Sequence, residues 1–216
     1  MLYSMIIIRD AEKKKRLSKL CDYQMFIQSA PFIIIFVADH HRWFDYYRMN
    51  GVEKFAQKHN LDFTPPAEGD LMLAVEDAMA AAQNSVIAAE SIGIGSCYIG
   101  DILENYETVK ELLELPKETF PIAMLCYGHY KQEYKKVFSK RFDRKYIVFE
   151  DTYRQLQEDD YEKMFAERAE REFLTQNKYA AKNYAQQFYA RKTGASFSKE
   201  MTRSVKEALK EWTGNV

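Results

Sequence analysis

Few side chains in this 216-residue sequence stand at the spacings that chemistry demands. Asp39-His40-His41 sets two imidazoles side by side ahead of an aromatic-rich run. Adjacent helical residues point about 100° apart and cannot readily share one ion, and the i, i+4 spacing that places two ligands on one helical face is absent. Asp39 is better read as a helix N-cap, its carboxylate accepting from a first-turn N–H. Gly93-Ile94-Gly95 looks like part of a dinucleotide fingerprint, but that fingerprint leaves a strand and enters a helix, and here the order is reversed. Lys13-Lys14-Lys15-Arg16 is the solvated face of a short helix whose Leu17 and Leu20 point inward. Cys21, Cys97 and Cys126 are odd in number, far apart and set in apolar segments, which suits reduced, buried thiols. There is no Gly-x-Ser-x-Gly elbow, Cys-x-x-Cys pair, zinc spacing or P-loop. Spacing alone leaves a soluble α/β protein without a nucleophile.

The elements that must position any site are organised around the stretch from Gly69 to Asn105. It reads as one long helix, about twenty residues and roughly 30 Å, feeding a short strand. Asp70 caps its start and Gly93 takes the left-handed conformation that closes its end. Polar residues recur in two neighbouring rows, Glu76/Gln83/Glu90 and Asp77/Asn84/Ser91, with apolar residues between. So narrow a polar stripe predicts a mostly buried helix. Its alanines, Ala78, Ala80, Ala81, Ala82, Ala88 and Ala89, let a sheet, a helix or a second subunit approach closely. Apolar runs predict strands over Met1–Arg9, Phe32–Ala38, Gly95–Tyr98 and Phe120–Tyr127, and an aromatic-rich helix spans Asp39–His59. Strands apolar on both faces are central ones. Asp101-Ile-Leu-Glu104 is spaced like a capping box, and Asn105 caps a further helix. Tyr146–Glu150 is a short extended piece. From Asp151 onward come helices, the last carrying the stripe Met201, Val205, Leu209, Trp212.

The run Gln83-Asn84, Ala88-Ala89-Glu90-Ser91, Gly93-Ile94-Gly95 and Tyr98-Ile99-Gly100 resembles the central helix and following strand of the nitroreductase family of FMN-dependent NAD(P)H oxidoreductases. The resemblance implies FMN as cofactor, and it explains the missing nucleophile, because the flavin makes and breaks the bonds while the protein binds, orients and tunes it. It places Tyr98, Ile99, Gly100 and Asp101 at the strand-to-loop turn beside the isoalloxazine ring. There main-chain N–H groups approach the reactive nitrogen and a Cβ at Gly100 would hold the backbone away. Asp101 stands where many relatives carry a second glycine. Gln24 corresponds to a family glutamine that can hydrogen-bond the ring's polar edge. Arg141, with Lys140 in the run Ser139-Lys140-Arg141, corresponds to the family's grip on the FMN phosphate, the lysine shifted by one residue. Asp39-His-His-Arg42 resembles a structural Asp-x-x-Arg. The segments Asn183–Lys192 and Glu200–Ser204 look like those of longer, flavin-reductase-like members. Family members also carry an Arg-Ser-x-Arg stretch and a Ser-rich loop ahead of where this sequence starts, so weak FMN binding is expected.

A formal charge of −1 argues against nucleic-acid or membrane-surface binding driven by bulk electrostatics. The longest apolar run, Ala30–Ala38, is about half a membrane span. No basic n-region or cleavage site opens the sequence, so a cytoplasmic protein is expected. The expected fold is α/β (α+β), a three-layer α-β-α sandwich with a mixed central sheet and a helical C-terminal extension. Residues 1–150 would form the FMN-binding domain. Residues 151–216 would form the extension, packed on the body or on the partner of a homodimer. The expected activity passes electrons from NAD(P)H through FMN to a small acceptor such as a nitroaromatic, a quinone or free flavin. The alternative is a non-catalytic dimeric remnant of the fold with a degraded flavin site.

Overall fold

A computed structural model describes residues 1–131, 133 and 140–214. The elements are β1 (Tyr3–Ile8), α1 (Ala11–Leu20), α2 (Met25–Ser29), β2 (Phe32–Asp39), α3 (His41–Met49), α4 (Val52–Lys58), α5 (Glu68–Ser91), β3 (Gly95–Ile99), α6 (Tyr106–Leu113), β4 (Thr119–Gly128), α7 (Glu158–Glu172), α8 (Tyr184–Arg191) and α9 (Ser196–Thr213). A 3-10 turn, Gly100–Leu103, follows β3. A second, Arg144–Tyr146, overlaps the expected extended piece at Tyr146 alone, and residues 147–150 form no strand.

The four described strands run in the order β1-β2-β4-β3. Every pairing is antiparallel, so the expected mixed sheet is corrected. The α+β class stands. Strands apolar on both faces read alike whether parallel or antiparallel, because what makes them so is a helical layer on each side. Alternation along β2 sends Ile33, Ile35 and Val37 to a core with Leu17, Ile27, Ile102 and Val109 of α1, α2, the turn and α6. It sends Phe36 and Ala38 to a second core with Leu71, Ala74, Ala78 and Ala82 of α5 and Ala208 and Trp212 of α9.

Helix α5 runs 24 residues. Asp70 sits inside its first turn and accepts from the Ala67 N–H at 2.8 Å, a capping-box contact instead of the expected N-cap. Gly93 is left-handed, φ +76°, as the stop signal required. The helix is less buried than its narrow polar stripe predicts, since Met72, Leu73 and Ile87 are 58%, 57% and 61% exposed. The predicted helix over residues 39–59 breaks at Asn50-Gly51, where Gly51 has φ +66°. Asp39 is buried, accepts from the Arg42 N–H at 3.4 Å and pairs with its guanidinium at 3.1 Å, a structural role. His41 pairs with Asp45 at 3.0 Å, and no metal-holding cluster occurs among the described residues. Cys21 and Cys126 are buried free thiols, whereas Cys97 is exposed.

The start of α6 is capped from a distance. Asn105 has φ +52° and its side chain does not cap; its Nδ2 donates to the Leu20 carbonyl at 2.9 Å. The orphan N–H groups are met by α9, with Tyr106 N–H donating to Ser204 Oγ at 2.8 Å and Asn105 N–H to Glu200 Oε1 at 3.2 Å. Trp212 donates Nε1–H to the Ala67 carbonyl at 3.1 Å, tying α9 to the entrance of α5. Contacts divide the chain into two compact units, residues 1–131 with 199–216, and residues 132–198. The stripe of α9 packs into the core of the first unit. In the second unit Phe142 meets Phe165 edge-on at 5.0 Å, and Tyr184 donates to Glu172 at 3.0 Å. Among the described residues no helix is long and apolar enough to cross a membrane.

Candidate functional site

Strand β3 ends where the 3-10 turn begins, and this junction gathers most of the predicted residues of the first unit. The Ile99 side chain is buried in the core under α6, so only its main chain can face a ligand. One residue earlier the pleat reverses, and Tyr98 is exposed beside α5, its hydroxyl 3.4 Å from Gln83 Oε1. Partial burial, with the Tyr127 ring system nearby, raises the Tyr98 phenol above its usual value. Gly100 does not have a left-handed φ, and a Cβ built on it would meet nothing within 4 Å. The protein's own packing therefore does not call for glycine there, and the space beside the turn is open.

Gln24 arrives from far along the chain. Two left-handed residues, Asp22 and Tyr23, turn the chain out of α1, and the Gln24 carbonyl accepts from the buried Ser18 hydroxyl at 2.9 Å. Its Nε2 donates to the Cys21 carbonyl at 3.0 Å and to Asp101 Oδ2, a partner 77 residues away. Both partners are acceptors, so the amide nitrogen must face them. Among the described residues none donates to Oε1, which remains an acceptor. Two of the predicted residues, Gln24 and Asp101, are thus joined directly.

Glu104 is the residue that sequence reasoning missed. It directly follows the 3-10 turn, its N–H donates to the Asp101 carbonyl at 3.0 Å, and the expected capping box does not form. Residues three apart eclipse across such a turn, and Asp101 lies close enough to act on the Glu104 carboxyl. Glu104 is 6% exposed and its Oε1 has no hydrogen-bond partner. Burial first, then the neighbouring Asp101, Asp22 and Glu200, push its carboxyl up to about 7. The buried Cys21 thiol is raised well above its ordinary value by burial and by Asp101 and Glu104. The signal available beforehand was the Asp-x-x-Glu spacing itself, which reads equally as a cap.

Lys140 and Arg141 lie in the second unit. They line a pocket with Lys163, Arg168 and Arg171, five cations facing the carboxylates of Asp143 and Glu167. Lys140 is ion-paired to Glu167, whose hydrogen bond and charge raise the ammonium's pKa. Arg141 is exposed. Ser139 of the same run lies outside the described residues.

Comparison with known proteins places this geometry in context. The model described as "Nitroreductase family" matches residues 4–129. An FMN reductase (NADPH) of Bacillus subtilis is 35% identical over 127 residues, 59% of this chain and 48% of that protein. A second B. subtilis protein, an FMN reductase [NAD(P)H], is 37% identical over 130 residues, 58% of this chain and 48% of its own length. The chain spans about half the length of the curated relatives it matches. The crystal structure of nitroreductase A from Vibrio parahaemolyticus superposes with a TM-score of 0.73 at 25% identity, covering 97% of this chain and 80% of that one.

Proposed function

We propose, from the premise that the chain belongs to the nitroreductase family, that it binds FMN and acts as an NAD(P)H-dependent oxidoreductase. Bound FMN would supply hydride transfer, taking two electrons from NAD(P)H and passing them to a nitroaromatic, a quinone or a free flavin. The observation that carries the reading is the junction at Gly100, where the backbone borders open space and the Gln24 amide stands beside it.

The residues present suit such a group. A planar heterocycle can lie against main chain only where no Cβ intervenes, and Gly100 provides that. Gln24 offers an acceptor to an N–H on the ring's polar edge. Within the second unit, taken by itself, Arg141, which the resemblance gives to the phosphate, offers a planar fork of donors in a pocket that Lys163, Arg168 and Arg171 also line. Lys140 would contribute less, since Glu167 already engages it. The printed names of the B. subtilis relatives support the same reading. We assign a homodimer as the working state, formed through the exposed apolar face of α5.

The test is to titrate the purified protein with FMN, following flavin fluorescence, and then to record NADH and NADPH oxidation with a quinone or nitroaromatic acceptor. Saturable flavin binding and acceptor-dependent oxidation are expected. Absence of binding at saturating FMN would leave the non-catalytic alternative.

A further inference from the structure

We propose that Glu104 holds a proton and donates it to Asp101, the two acting as a pair of positioning residues that fix the Gln24 amide with its oxygen outward to accept from a ligand N–H. The identity of that ligand rests on the flavin reading, whose imide edge carries such a group. The pair itself rests on this chain's own geometry.

A carboxylate at Asp101 accepts the Gln24 Nε2–H. Glu104, three residues on and capping the same 3-10 turn, is buried with Oε1 unpartnered, and no basic side chain pairs with it among the described residues. A buried carboxyl without a cation stays neutral when a second carboxyl adjoins it, and it then has a proton to donate. The groups around it reinforce this from each neighbouring element. They are Asp101 in the turn, Asp22 in the link from α1 to α2, Cys21 at the end of α1 and Glu200 on α9. The nearby guanidinium of Arg203 already engages Glu200 and Glu107. Donation from Glu104 to Asp101 sharpens the latter as an acceptor for Gln24. The Cys21 carbonyl takes the second amide proton, so an inverted amide would face two acceptors with its oxygen.

The pair gives the site a pH response near neutrality. Glu104's folded-state value, about 7, lies above the ordinary 4.5, so the folded chain retains a proton that the unfolded chain releases. Its contribution to stability is therefore largest below that ordinary value, declines as pH rises through this window, and is flat above it. Above neutrality two carboxylates face each other, and Gln24 loses its fixed orientation.

The experiment follows the side-chain amide resonances of Gln24 by NMR in the ¹⁵N-labelled full chain, identified by their loss in Gln24→Leu, across a pH titration. In wild type they should shift with a midpoint near neutrality. In Glu104→Gln, whose amide donates to Asp101 at every pH, they should stay fixed. In parallel, wild-type affinity for FMN should fall at least about fivefold from pH 6 to pH 8.5, while Glu104→Gln keeps the low-pH affinity throughout. Asp101→Asn should bind about tenfold more weakly at all pH values, the loss of roughly one hydrogen bond to a charged group. Gln24 resonances that titrate equally in Glu104→Gln, or do not titrate in wild type, would overturn the proposal. If no variant binds FMN at any pH the flavin reading fails, and the Gln24 resonances still decide the pair.

Discussion

At the scale of single residues, Gly100 separates a ligand requirement from a folding requirement. Its backbone is not left-handed and a Cβ there enters open space, so Gly100→Val should leave the fold intact. A branched side chain would nevertheless fill the volume where a flat ring must approach the main chain. The expected outcome is FMN affinity lowered at least about tenfold, with a melting temperature within a few degrees of wild type. Thermal unfolding beside a flavin titration checks both halves. Arg141→Ala should weaken FMN binding by about ten- to a hundredfold, the value of one charge-assisted contact. Raising the salt concentration should shrink the difference between wild type and variant if the contact is to phosphate.

At the scale of elements, α9 works as a remote cap for α6. Ser204 is fully buried and its hydroxyl is the partner of the Tyr106 N–H, so Ser204→Ala strands a buried donor at a helix start. That should cost about 1–3 kcal/mol, read as a lower midpoint in urea unfolding. The same junction is held outside by Arg203, bonded to Glu107 at 2.7 and 2.9 Å. These bonds hold the Glu107 carboxyl down at about 2, below its ordinary 4.5. A depressed folded-state value means that the stabilisation is present above the ordinary value and lost as pH falls toward 2. Wild type should therefore be more stable than Glu107→Gln near neutrality, and the two should converge in acid unfolding below that range.

Elements are also where the sequence was most and least legible. Helix α5 could be read because its stop signal and periodicity are local, and the strands because their apolar runs are continuous. The direction of pairing could not be read, since burial on both faces produces the same run in either sheet. The caps of α6 lie about a hundred residues away on α9, beyond any local pattern. For the proposed site, Gly100, Asp101 and Gln24 come from the family resemblance. Glu104 was hidden because its spacing from Asp101 fits a cap as well as a 3-10 turn.

At the scale of the whole molecule, the apolar residues left outside on α5 bear on assembly. Met72, Leu73 and Ile87 stand on its solvent side with the small Ala80 and Ala88 between them, a surface suited to close helix packing against a second copy. Sedimentation at micromolar concentration should find a dimer, and Leu73→Glu with Ile87→Glu should shift it toward monomer. The central claim is that this chain carries out flavin-mediated electron transfer from a nicotinamide. Its most direct test is to load the full chain with FMN, remove free flavin, and mix with NADPH and with NADH under anaerobic conditions while following the flavin absorbance. The account predicts that the oxidised-flavin band bleaches with at least one nicotinamide and returns when a quinone is added. A protein that retains FMN yet keeps it oxidised in the presence of both nicotinamides would contradict it.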